Sequence, residues 1–158
     1  MENLLTYLND HLAGSVAAVE LLSHLVQGSH NGGMKAFFLR LRKEIEEDQN
    51  VLRDFVKSIG GEESTMKKVG AWLMEKVTRL KLRQETDDNG FGVFEALEGL
   101  ALGIQGKRAL WRSLSVAGIL GGPHLDYPRL GKRAAEQFEQ VHAKCLELAP
   151  TALSVRRD

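Results

Sequence analysis

The chain has 158 residues, 43 % hydrophobic and 27 % charged, which is the size of one domain able to bury a substantial core. Twenty-one basic side chains balance twenty-one acidic ones, so the molecule carries no long-range field that would gather nucleic acid or an anionic membrane. A single cysteine, Cys145, excludes an internal disulfide; with no leader-like segment and no long uncharged apolar run, the expected compartment is the cytoplasm.

Turn-forming residues cluster at 28–33, 60–61, 87–92 and 121–128. Between these clusters apolar residues recur at steps of three and four with no β-branched alternation, which predicts an all-α chain. The helices are expected over about residues 3–27, 34–59, 63–84, 92–119 and 127–149. One domain would span residues 1–150, and the tail 151–158 beyond Pro150 is expected to fray.

The first helix carries a stripe of Leu5, Leu8, Leu12, Val19 and Val26. Glu20 is the only charged residue between Leu12 and Ser23 and lies at the border of that stripe, so its carboxylate either faces the bundle centre or reaches water. Tyr7 and His11 stand one turn apart and are candidates to line a pocket at one end.

The second helix has a clean seam of Met34, Phe38, Leu41, Ile45, Leu52, Phe55 and Ile59, interrupted only by Asp48. A carboxylate in that register points inward. An ionised group buried alone is costly enough that it must meet a cation, a metal or several hydrogen-bond donors. Glu44 lies one turn away.

A third helix of about 22 residues would be about 33 Å long, enough to carry the chain back along a bundle. Its apolar face includes Met66, Val69, Trp72 and Leu73, and Lys67, Lys68, Lys76 and Arg79 form a solvated basic edge. The fourth helix reads as a seam of Leu97, Ala101, Ile104, Arg108, Trp111 and Ser115, which places Arg108 as an inward cation matching Asp48, with Gln105 close by and Glu98 well round the helix. A guanidinium keeps its charge and offers a fork matched to a carboxylate, so an Arg108 to Asp48 bridge, shared with Glu20, is the economical expectation. The fifth helix has a stripe of Tyr127, Leu130, Ala134, Phe138, Val141, Cys145 and Leu148, which leaves Glu139 and His142 off the seam. Gly99, Gly103 and Gly106 on the fourth helix, with Ala13, Gly14, Ala17 and Ala18 on the first, imply close backbone packing, either within the chain or across a homodimer.

Two helical hairpins joined by a long crossover, with carboxylates aimed at the centre, make the chain resemble the ferritin-like superfamily of four-helix bundles. The resemblance implies a centre in which two helices each give one Glu and two others each give a Glu-x-x-His pair. Glu20 would match a lone glutamate, and Glu139 with His142 is a literal Glu-x-x-His, but the run from Glu44 to Gln49 holds no histidine and the fourth helix presents Arg108. The implied metal centre is therefore degenerate. The resulting expectation is a binding or scaffolding module whose buried polar centre is Glu20, Asp48 and Arg108, with no cofactor. Two alternatives stay open. One is an iron or manganese oxidoreductase using Glu20, Glu44, Asp48, Glu98, Glu139 and His142. The other is a bundle that binds a small anionic ligand, with Arg108 holding its charge, Trp111 stacking beside it and Tyr7, His11 and Gln105 as further pocket candidates. No catalytic residue is assigned, and the partner expected is a second copy rather than nucleic acid or membrane. Phosphate loops, serine elbows and CxxC pairs do not occur.

Overall fold

The structure, a computed structural model, describes residues 1–61, 78, 90–121 and 125–154. Among these residues it contains four helices and no strand: α1 (Glu2–Gly28), α2 (Gly32–Ser58), α3 (Phe91–Val116) and α4 (Tyr127–Ala152). The expected helix at 63–84, with its crossover role and basic edge, lies outside the described residues apart from Thr78. No helix among the described residues is long and apolar enough to cross a membrane.

Local chemistry accounts for the helix ends. Asn31 starts α2 by accepting a hydrogen bond from the Met34 N–H at 3.1 Å, and Asp126 starts α4 by accepting from the Arg129 N–H at 2.9 Å, with Pro128 in the first turn where its missing donor costs nothing. Past the end of α2, Gly60 adopts φ +76°, a left-handed stop that a side chain would strain. Pro150 does not end the last helix, while residues 155–158 of the expected tail lie outside the described residues. The α4 helix runs on to Ala152, which is buried in the core, because a proline this near a C-terminus forfeits a single backbone bond and apolar burial offsets it.

The side-chain contacts define the helix directions. Gln49 reaches Ser15 at 3.0 Å and Arg42 reaches Ser23 at 3.5 Å, so α1 and α2 run antiparallel. Lys107 meets Gln137, and the Trp111 ring lies 6.4 Å from that of Tyr127, so α3 and α4 are also antiparallel. The apolar core falls into two clusters. One joins Leu22 and Leu25 to Phe38, Leu41, Leu97 and Val141; the other joins Leu8 and Leu12 to Leu52, Phe55, Trp111 and Leu130. The first cluster holds the beginnings of α2 and α3 and the second their ends, so these two helices run parallel and the order is up, down, down, up.

The small residues of α3 and of α1 sit in different surroundings. A side-chain carbon added at Gly99, Gly103 or Gly106 would meet nothing within 4 Å outside the helix itself among the described residues. Among the described residues nothing approaches these glycines closely, although each costs about 1 kcal/mol of helix stability relative to alanine, and the crossover helix expected to pack near them lies outside the described residues. Ala13 and Ala17 on α1, by contrast, are buried.

Candidate functional site

A polar layer separates the two apolar clusters, and Asp48 is its centre. The carboxylate is 4 % exposed, between Ile45 in one cluster and Leu52 in the other, as the α2 seam predicted. Its partners come from α3 and α4. Lys107 Nζ donates to Asp48 Oδ2 at 2.5 Å, Gln137 Nε2 donates to the same oxygen at 3.2 Å, and Arg133 Nε lies 3.2 Å from Oδ1. Gln137, 1 % exposed, completes the ring by accepting from Lys107 Nζ at 2.5 Å and donating to Glu44 Oε2 at 3.2 Å. Arg133 also donates to the Glu44 backbone carbonyl at 3.1 Å and to Glu47 Oε2 at 2.6 Å. On the α1 side, Gln49 Nε2 donates to Ser15 Oγ, whose own proton goes to the Leu12 carbonyl at 2.6 Å. Both Asp48 oxygens and both polar atoms of the Gln137 amide therefore have partners, which is what burial of such groups requires.

The electrostatics follow from this packing. Burial pushes the Lys107 ammonium below the usual lysine range, and the neighbouring Asp48 carboxylate, first by its charge and then by its hydrogen bond, opposes the fall. Burial also works against the charge on Arg133, but the hydrogen bond to Glu47 and the carboxylates of Asp48, Glu47 and Glu44 outweigh it and raise the guanidinium above its ordinary value. The same hydrogen bond lowers the Glu47 carboxyl.

Arg108 is not part of this centre. It is exposed, and the residue before it on the helix faces inward. The core-facing stripe of α3 follows a seven-residue repeat in which Leu97, Ile104 and Trp111 are joined by Leu100, Lys107 and Leu114, all buried except the half-buried lysine. The stripe expected from the sequence, which joins the same first set to Ala101, Arg108 and Ser115, is therefore displaced by one residue. The signal for the correct choice was available: leucines stand seven residues to either side of Lys107, whereas alanine and serine flank Arg108. A similar displacement hid Gln137, because alternation of three and four through Tyr127, Leu130 and Ala134 lands on 137 and not on Phe138. Arg133 and Ser15 carried no sequence signal beyond their position beside the stripes.

Glu20 is also exposed. The buried stripe of α1 passes from Ala17 to Leu22, and a carboxylate at its edge reaches water without any desolvation cost. The six residues named for a metal do not converge: Glu20, Glu98, Glu139 and His142 are exposed, while Glu44 and Asp48 are tied into the hydrogen bonds above. Among the described residues no group of three or more His, Cys, Asp or Glu side chains is placed to hold a metal ion. His142 instead stacks on Phe138, with ring centroids 5.5 Å apart. Trp111 is core, 1 % exposed, and not the wall of an anion pocket beside Arg108; Gln105 is half-buried and takes no part in the hydrogen bonds of the polar layer. Burial pushes the Cys145 thiol up, with Glu98 adding to the effect, as suits a structural residue.

Tyr7 and His11 do meet, edge to face, with centroids 4.7 Å apart. Burial lowers the His11 pKa below its ordinary 6.5, against the opposing charge of Asp10. The folded imidazole therefore stays neutral where the unfolded one takes up a proton. Stability is expected to fall as pH drops from about 6.5 to the lower folded value and to level off below it. Urea midpoints measured across that range for wild type and His11→Gln check this; equal slopes would remove the assignment.

The polar layer opens to solvent on one side. Between α2 and α4 a cleft of about 280 Å³ is lined by Glu44, Arg133, Glu136, Gln137 and Gln140. Its floor is formed by the side chains that hold Asp48, and its rim carries both signs of charge. No family model, curated protein or solved structure matches this chain.

Proposed function

We propose that this chain is a binding module of ferritin-like build, in which an internal ion network occupies the centre where a metal pair would sit, and that the cleft between α2 and α4 receives a small zwitterionic ligand. The up, down, down, up order of the helices supports the ferritin-like part of the reading.

The observation that carries the ligand is Arg133. Its Nε and Nη2 atoms are committed to Asp48, Glu44 and Glu47, whereas Nη1 makes no hydrogen bond among the described residues, although the side chain lines the cleft. A guanidinium held rigidly on one side and free on the other is well suited to a carboxylate. Glu44 and Glu136 on the same walls offer acceptors to an ammonium or hydroxyl group, and Gln140 adds an amide. The volume lies just below the usual range for drug-sized ligands, which favours molecules of amino-acid size.

Titration of isotope-labelled protein with single free amino acids, with acetate and with ammonium tests the reading by amide chemical shifts. Saturable shifts are expected at Glu44, Arg133, Glu136, Gln137 and Gln140 for at least one amino acid, larger than for either half-molecule alone. They should vanish in Arg133→Gln and persist in Arg129→Gln, which alters an exposed arginine on the same helix. Linear, unsaturable shifts with every amino acid would overturn the proposal.

A further inference from the structure

One face of α3 has no occupant within the described residues. Leu102 is 73 % exposed, Val116 is 83 % exposed, and the space over Gly99 and Gly106 beside Leu102 is open. Monomeric proteins seldom leave large aliphatic side chains in line on one smooth helix face. The charges on this face are ordered. Glu98 stands seven residues before Gln105 and Arg112 seven residues after it, and all three share one stripe of the seven-residue repeat. Both charged side chains are exposed, and neither makes an ion pair among the described residues.

We infer that this face is the interface of a homodimer in which the α3 helices of two copies pack antiparallel about a two-fold axis at Gln105. A two-fold contact requires a surface complementary to itself, so that whatever lies at one distance from the axis meets its opposite at the same distance on the other side. The stripe has this property. Antiparallel packing about Gln105 sets Glu98 against the second copy's Arg112 and Arg112 against the second copy's Glu98, so one geometry makes both ion pairs. Leu102 then lies against Gly106 and Ala109 of the second copy, where the missing side chains leave room for it. An unrelated partner would have no reason to need an acid and a base equidistant from a neutral midpoint. The strip is about 39 Å long, from 26 residues at about 1.5 Å each, and about 10 Å wide, so it buries roughly 800 Å² in total. That is below the area of a permanent dimer and fits a reversible one.

Sedimentation equilibrium of the full chain from about 1 µM to about 1 mM tests this directly, since the expected affinity lies within that range. Wild type should pass from monomer to dimer. Glu98→Arg and Arg112→Glu should each remain monomeric, because each places like charges opposite one another twice. An equimolar mixture of the two variants should dimerise again, since arginine at 98 and 112 in one copy meets glutamate at 112 and 98 in the other. Both positions are on the surface, so folding is preserved, and circular dichroism confirms it. A wild-type chain that stays monomeric at the highest concentration overturns the inference, as does a dimer indifferent to both variants or a mixture that fails to associate.

Discussion

A chain carrying Asp48→Leu is expected to lose about 3–5 kcal/mol of unfolding free energy, because the change removes the acceptor that neutralises two cations at once. Lys107, 15 % exposed, would keep only the Gln137 amide oxygen as a direct partner, and the Arg133 Nε would point at an aliphatic side chain. Adding Lys107→Leu should return much of that loss, since a buried pair replaced by apolar groups is often neutral or better. The cycle is measured by urea denaturation of the four chains. Arg108→Leu serves as the sharp control: one residue away and exposed, it should change stability by no more than about 0.5 kcal/mol. Losses that simply add in the double variant, or an Arg108 change as harmful as the Lys107 change, would show that the polar layer is wired differently.

The second large effect is expected at Trp111. Its indole is 1 % exposed and sits in the cluster with Leu52, Phe55, Leu110 and Leu114. Truncation to alanine should cost about 3–5 kcal/mol, as lost apolar transfer and the cavity left behind add together. Phenylalanine at the same position should cost less than half of that. The indole Nε1 proton is buried with no acceptor among the described residues, so removing the donor relieves a desolvation penalty and breaks no hydrogen bond. Chemical denaturation of both variants distinguishes this core role from a ligand-stacking one, because a pocket residue would alter binding while leaving stability nearly unchanged.

These two residues stand for the two halves of the architecture. The apolar clusters at the ends provide the driving force, since each fully buried aliphatic side chain contributes about 1.5–3 kcal/mol. The layer between them adds little net stability and a great deal of specificity. Asp48 reaches its partners only when α2, α3 and α4 are in one register, and a slip of one turn in any of them would leave a charge buried alone. We expect the network to select the native register over alternatives with equally good apolar packing, the best-attested use of buried polar groups in helical assemblies. Because the same side chains form the floor of the α2/α4 cleft, that register also shapes the cleft.

Much of this was legible in the linear chain. Turn residues and a period of three to four marked the four described helices to within a few residues, because propensity and capping act over one or two turns. The α2 seam singled out Asp48 with no structure at all, since seven large apolar residues define the direction of a helix face closely enough to orient an eighth. Partnership was another matter. Choosing between Lys107 and Arg108, or between Gln137 and Phe138, meant choosing between neighbours about 100° apart on a helix, and the stripe on α3 was populated enough on both sides to admit either. The packing of the neighbouring helices settles that choice. Helices that wind around one another hold a seven-residue repeat toward the core, so the facing residue depends on the neighbouring helices as well as on the helix that carries it. Arg133, Ser15 and Gln49 belong to the same category: they become a site only where separate helices converge, and long-range convergence leaves no trace in local periodicity.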